Sequence, residues 1–225
     1  MSTPLVSVVI TTFRRPAFLV AAIGSVLAQD YHEREIIVID DGSADEMEPV
    51  CAPFPVRYFH QENRGPSAAR NAGAARARGD LLLFLDDDDL SPSGSLRALV
   101  GAWMSGPVSG AVAGRVRRFH EPEPGRVEFI ESEREAGHYM SAGAALYPRE
   151  AFERVRGFDE TMRRSEDTDF CLRLKEAGTT FRLIPEICLH YRRHPGNTTH
   201  NLDQSDKTML TALHTAILRR RSQQP

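Results

Sequence analysis

Leu81–Leu90 reads LLLFLDDDDL, five apolar residues running straight into four aspartates. The apolar part has the length and character of a strand buried on both faces. Adjacent carboxylates repel one another, so a chain keeps four together either on a solvated surface or around something positive. Two runs upstream match the apolar part. Val6–Thr12 (VSVVITT) is a continuous β-branched run, and Glu35–Asp40 (EIIVID) ends in the turn residues Asp41-Gly42-Ser43. A shorter strand is expected at Val56–His60. Between the runs lie helical patterns. Pro16 stands at a helix start, followed by Phe18, Leu19, Ala22, Ile23, Val26 and Leu27 at helical spacing. Ser67–Arg78 is alanine-rich, with Ser67 as its expected N-cap and Gly79 as its C-terminal glycine. Strand and helix in alternation predict an α/β domain with a mostly parallel sheet flanked by helices. Ligands of open sheets of this kind sit beyond the carboxyl ends of the strands, where Thr11-Thr12, Asp40-Asp41 and Asp86–Asp89 should converge.

The chain of 225 residues is 41% hydrophobic and 26% charged, with a net charge of -3. That is the composition of an ordinary globular protein, without the basic excess that nucleic acid binding would call for. No apolar run approaches the ~18 residues of a membrane span. The N-terminus has no basic n-region and reads as a first strand rather than an export signal. Cys51, Cys171 and Cys188 are an odd set without CxxC spacing, so they are expected to be reduced and packed, with a cytoplasmic compartment as the default.

Beyond Ser91, a helix is expected around Leu96, Leu99, Val100 and Trp103, and a strand over Gly110–Arg118. Glu121–Glu135 (EPEPGRVEFIESERE) is polar and proline-broken and reads as a loop. Short helices are expected over Pro148–Val155 and Thr168–Ala177, and a last strand over Thr180–Ile184. Ser205–Arg221 has the pattern of an amphipathic helix ending in three arginines. It is expected either to pack on the domain or to lie peripherally on an anionic membrane surface.

Five groups of residues could carry chemistry. Carboxylates closing a rigid strand suit a hard cation such as Mg²⁺ or Mn²⁺, although Asp88 and Asp89 could equally cap the next helix. Asp40-Asp41-Gly42-Ser43 could accept hydrogen bonds from a nucleoside, or be a plain turn. Arg64 and Arg70, flanking a helix start, could meet phosphate, or sit on solvated faces. Glu166-Asp167 could be a helix cap or a general base. His190 and His194 are each a candidate metal ligand or an ordinary hydrogen-bonded histidine.

In order and spacing, VSVVITTF, EIIVIDDGS, NRGPSAARNAG, GDLLLFLDDDD, GFDE, SEDTDFCLRL and YRRHPGNTT resemble family 2 glycosyltransferases over about Val6–Thr199. The resemblance implies a single GT-A, Rossmann-like domain over residues 1–204, followed by the helix and basic tail of 205–225. Residues 1–100 would form its nucleotide-binding half and 101–204 its acceptor side. It implies an inverting transfer from a nucleotide-diphospho-sugar, a UDP-sugar first among them, to an acceptor hydroxyl on a glycan, lipid carrier, peptide or small molecule. By the same resemblance, Thr11 and Phe13 lie near the base and Asp41 binds it, with Asp40 beside it. Arg64 and Arg70 line the donor pocket. Asp86-Asp87-Asp88 matches the DXD motif, in which Asp86 faces the donor and Asp88 holds Mn²⁺ or Mg²⁺ with His194. Glu166-Asp167 matches the ED motif, with Asp167 as base. Phe13 stands where many relatives have tyrosine, and Ser105–Tyr139, where acceptor recognition is expected, carries no readable motif. A nucleotidyltransferase would want glycines after the first strand, which ITTFRRPAF lacks. A degenerate, non-catalytic sugar-nucleotide binder is the other alternative.

Overall fold

A computed structural model describes residues 3–43, 47–106, 110–123, 126–130, 137, 141–162, 164–197, 214–216 and 219. The apolar runs become β1 (Val6–Thr12), β2 (Arg34–Asp41) and β4 (Leu81–Asp86), with β3 (Arg57–Gln61) on the outer side of β2. All pair in parallel, so their carboxyl ends lie along one edge: Thr12 stands opposite Asp40 and Thr11 opposite Asp86. The sheet continues in the order β3-β2-β1-β4-β7-β5-β6, with β8 added on β5. The later strands are β5 (Ala111–Glu123), β6 (Arg126–Phe129), β7 (Ala145–Pro148) and β8 (Phe181–Arg192). β7 joins the two halves, pairing antiparallel with both β4 and β5, while β8 runs parallel to β5.

Alternation along the strands divides the core in two. Val6, Val8, Ile10 and Val38 face one side, against Leu19, Ile23 and Val26 of α1 (Pro16–Leu27) and Leu96 and Leu99 of α4 (Ser95–Met104). Val9, Ile37 and Ile39 face the other, with α3 (Pro66–Arg76) and an aromatic group of Phe84, Phe152, Phe158 and Phe170. The short helices α2 (Met47–Cys51) and α5 (Arg149–Arg154), the longer α6 (Glu166–Glu176) and a 3-10 turn over Ala142–Ala144 complete the described elements. All three cysteines are free and buried.

Helix α3 owes its close seat on the sheet to small residues. A Cβ added at Gly73 would stand 2.2 Å from Val9 Cγ1 and 3.2 Å from Ile39 Cγ1. The strands below are fixed by their own pairing, so the helix would have to lift. Gly73→Ala is therefore expected to cost about 1–3 kcal/mol despite alanine's better helix propensity. The check is a urea midpoint, and a neutral or stabilising result would contradict the close approach.

Several expectations need correction. Glu121–Glu135 is not simply a loop: β5 runs on to Glu123 and turns into β6, which pairs with it through Phe119–Phe129 and His120–Glu128. Pairing across the hairpin outweighs the local prolines. Ser67 is not the N-cap of α3; Gly65 is, with Pro66 in the first turn. Gly79 lies beyond the helix end, and a Cβ there would meet Leu5 O at 2.4 Å, so glycine is required for backbone approach rather than for a cap. Asp88 and Asp89 do not cap α4, whose N-cap is Gly94. The last strand reaches Arg192, well past Ile184, and β7 and α2 had no counterpart in the sequence reading. Apart from 214–216 and 219, the expected C-terminal helix lies outside the described residues. Among the described residues, no helix is long and apolar enough to cross a membrane.

Candidate active site

The aspartates at the end of β4 are not a solvated turn. Asp87, Asp88 and Asp89 are buried, at 4%, 8% and 4% exposure. Only Asp86 has a well-exposed side chain. Each carboxylate is met by donors from distant parts of the chain. Asp86 accepts from Thr11 Oγ1 (3.2 Å) and Arg70 Nη2 (2.8 Å). Asp87 accepts from the Thr12 hydroxyl (2.7 Å) and from Arg15 Nη1 (3.3 Å). Asp88 Oδ2 takes Arg15 Nη1 at 2.6 Å and lies 3.0 Å from His194 Nε2. Asp89 Oδ1 accepts the Arg192 backbone N–H (2.9 Å), while Arg192 Nε donates to the Asp88 carbonyl (2.8 Å). Burial pushes the Asp87 carboxyl up to about 7, against the lowering effect of the Thr12 bond. Burial, then the charges of Asp88 and Asp86, raise Asp89 as well.

One buried guanidinium gathers the acidic groups from the other half of the chain. Arg70, on α3, donates from Nη2 to Asp86, and from Nη1 to Glu166 Oε1 (2.9 Å) and Asp167 Oδ1 (3.2 Å) at the start of α6. Its side chain is 4% exposed. Arg70 thus sits between the acidic strand end and the Glu166-Asp167 pair rather than on a solvated face. Asp167 Oδ2 also accepts the Ala142 N–H at 2.8 Å, which fixes the carboxylate from two sides. Burial raises Asp167 to about 7, with Arg70 opposing and Glu166 reinforcing the shift.

Asp40 and Asp41 separate, as neighbours on a strand must. Asp40 is fully buried, accepting from Ser43 N–H (2.9 Å) and the Tyr58 hydroxyl (2.8 Å). Asp41, on the opposite face, accepts the N–H groups of Arg64 (2.9 Å) and Gly65 (2.8 Å) and the Gln61 amide (2.8 Å). Asp41 thus lies against the positive end of α3, bonded to the N-cap N–H and to the one before it. Arg64 turns outward to Glu160 at 2.6 Å. Asn71 holds the GFDE segment, donating to Phe158 O (2.9 Å) and accepting its N–H (2.8 Å).

A cavity of about 380 Å³ opens on this edge, lined by Thr11, Phe13, Arg15, Asp41, Arg70, Asp86, Asp87, Asp88 and Glu166, with Asn63, Tyr191 and Asn197 at other walls. Asp40, Arg64, Asp167 and His194 lie outside that lining, the last two one residue or one hydrogen bond behind it. Sequence reasoning missed Arg15, Tyr191 and Asn197. For Arg15 a signal existed, because it follows a strand that ends on the same edge as the aspartates.

The donor set fits a hard divalent cation: Asp86, Asp88 and Asp89 can each bring one carboxylate oxygen within 4.8 Å of the others. His194 is placed differently from a free ligand. Its Nδ1 accepts the Gly196 N–H (3.1 Å), which leaves the ring proton on Nε2, facing Asp88. His190 packs its ring 4.8 Å from Phe129 and 6.3 Å from Phe119, and burial lowers it to about 4.

Comparison with known proteins bears on the family and the fold. The model of Glycosyl transferase family 2 matches residues 7–156, and that of Glycosyl transferase family group 2 matches residues 130–223. The pre-mycofactocin glycosyltransferase of Mycobacterium tuberculosis is 35% identical over 168 residues, which cover 67% of this chain and 36% of that protein. Two solved structures share the GT-A fold. S. aureus TarS 1-349 in complex with UDP-GlcNAc has a TM-score of 0.74 at 17% identity, over 95% of this chain and 66% of that one. The mannosyltransferase PcManGT from Pyrobaculum calidifontis, in complex with GDP-Man and Mn²⁺, has a TM-score of 0.70 at 21% identity, over 97% and 65%. The chain spans 15% and 36% of the length of the first two curated relatives it matches. With a family model laid over the four parallel strands, the aspartate turn and the linking helix α3, the chain belongs to glycosyl transferase family 2.

Proposed function

We propose that the chain transfers a sugar from a nucleotide-diphospho-sugar to an acceptor hydroxyl by a single inverting displacement. The observation that carries the reading is the cavity edge itself. Asp41, the Asp86–Asp88 turn and Glu166 line it together, and Arg70 ties Asp86 to Glu166 and to Asp167 just behind it, although these residues are scattered over more than a hundred residues of sequence. On this reading residues 1–100 form the donor half and 101–204 the acceptor side. Thr11, Phe13 and Asp41 frame the base. Asp86 and Asp88, with Asp89 beside them, would hold Mn²⁺ or Mg²⁺, and His194 would steady Asp88. A cation bound there would offset the charge that develops on the departing nucleoside diphosphate.

Asp167 is the base of choice because the protein fixes its carboxylate through Ala142 and Arg70, while burial keeps it basic enough to take a hydroxyl proton near neutrality. Glu166 faces the cavity from the same helix start and shares Arg70, so it positions the pair. The donor class is a nucleoside-diphosphate sugar, with UDP-sugars first, since the related TarS binds UDP-GlcNAc while PcManGT binds GDP-Man. Acceptors to test are glycans, lipid-linked sugars, peptides and small metabolites.

The first test is a thermal-shift screen of nucleotides and nucleotide-sugars with and without Mn²⁺. A donor at 100-fold its Kd is expected to stabilise the fold by about 2.7 kcal/mol, only in the presence of metal for diphosphates. No shift with any nucleotide, with or without Mn²⁺, would overturn the donor assignment.

A further inference from the structure

The cavity lining holds five carboxylates, Asp41, Asp86, Asp87, Asp88 and Glu166, and two guanidinium groups, Arg15 and Arg70. A diphosphate brought here meets a wall of like charge. Arg70 is already committed to Asp86, Glu166 and Asp167 and is 4% exposed. Arg64 is paired with Glu160 outside the lining. Arg15 differs from both. Its side chain is 34% exposed, and it reaches across the cavity mouth to Asp88 Oδ2 (2.6 Å) and Asp87 Oδ1 (3.3 Å). Its other nitrogen, Nη2, has one long bond to the Gly196 carbonyl, at 3.3 Å. Its backbone is pinned just before Pro16 at the first turn of α1, so the head group can swing on its stem without disturbing the helix.

Asp88 Oδ2 is thus claimed by Arg15, on a carboxylate that a divalent cation would also need. A guanidinium and a metal ion on one carboxylate repel each other. From this, and resting on the transferase reading above, we infer that Arg15 is a resident counter-ion that gives up Asp88 when a divalent cation arrives and turns to the donor's diphosphate. The same side chain then has two effects of opposite sign. It weakens cation binding to the chain alone, because the metal must displace it. It strengthens diphosphate binding once the metal is in place, because it becomes the mobile positive group in the cavity. A charge-assisted, forked contact to phosphate oxygens suits arginine better than lysine.

The experiment is calorimetric titration of the full chain and of Arg15→Met, first with MnCl2 alone. The second titration, at saturating Mn²⁺, uses UDP or GDP, whichever the parent binds, with the matching nucleoside as control. Arg15→Met is expected to bind Mn²⁺ about threefold or more tighter. It is expected to bind the diphosphate about tenfold or more weaker, with the nucleoside unchanged. Arg15→Lys, which keeps the charge without the fork, should fall between the two and serves if the methionine variant does not fold. An unchanged or weaker Mn²⁺ affinity, or a loss shared equally by the nucleoside, overturns the inference while the transferase reading stands. A parent chain that binds neither Mn²⁺ nor any nucleotide overturns both.

Discussion

Asp167→Asn is expected to fold, to keep donor affinity within a few-fold, and to transfer sugar about 10²–10⁴ times more slowly. The amide has the shape of the carboxylate and can still accept the Ala142 N–H with its oxygen, so the start of α6 should hold. Arg70 keeps Asp86 and Glu166 as partners. What disappears is the carboxylate that the proposed mechanism uses as its base. The pH dependence supplies a second reading of the same claim. Burial holds the Asp167 carboxyl up at about 7, and a base works only when ionised. In the parent, kcat/KM should therefore fall as pH drops through that value. The residual activity of the variant should lose this limb. Turnover within a few-fold of the parent would remove Asp167 from the chemistry, and a matching loss in Glu166→Gln alone would move the role to its neighbour.

Arg70→Met is expected to be the most destabilising of these substitutions, by about 3–5 kcal/mol, the usual cost of taking one partner from a buried ionic group. Methionine replaces the stem but leaves Asp86, Glu166 and Asp167 facing one another. Asp86 is substantially exposed and screened, so most of the effect should come from Glu166 and Asp167. The sign of the pH dependence follows. Burial already raises the Asp167 carboxyl to about 7, and removing Arg70, which opposes that rise, lifts it further. The deficit this adds over the parent is fully present above the variant's raised value and shrinks as pH falls toward about 7, below which Asp167 is protonated in the parent as well. Urea unfolding at pH 7.5 and pH 5 measures it. A deficit below about 1 kcal/mol, or one that grows on acidification, would contradict the ionic role of Arg70.

The parts of the fold legible in the sequence were those whose local pattern and final environment agree. β1, β2 and β4 are buried on both faces and read as unbroken apolar runs. The parts that escaped were decided by distant partners. β6 follows two prolines in a mostly polar stretch, and is a strand because β5 lies beside it. β7 has four residues and exists by bridging β4 to β5. The site divides in the same way. That the aspartates crown a buried strand could be read directly, and so could their convergence with Thr11 and Asp41. Which of Asp40 and Asp41 faces the cavity was implied by the family resemblance and not by the local pattern. Asp40 and Asp41 point to opposite faces, and only the position of α3 and Tyr58 decides which face carries the site. The role of Arg15 depends on contacts 72 and 73 residues away. Arg70 was expected in the donor pocket and lines the cavity, but its three carboxylate partners give it a bracing position that no local motif spells out.

The stitching of Arg192 to Asp88 and Asp89 bears on how the chain is made. These bonds span 103 and 104 residues of sequence, and the neighbouring strand pairing of Leu90 with His190 spans a similar distance. Such long closures come late in folding, because the loop entropy is lost before the contacts repay it. A ribosome releases the aspartates first and their arginine long afterwards. Until Arg192 has emerged, the turn is held only by the upstream cations Arg15 and Arg70, and Asp89 waits for the backbone N–H that closes the site.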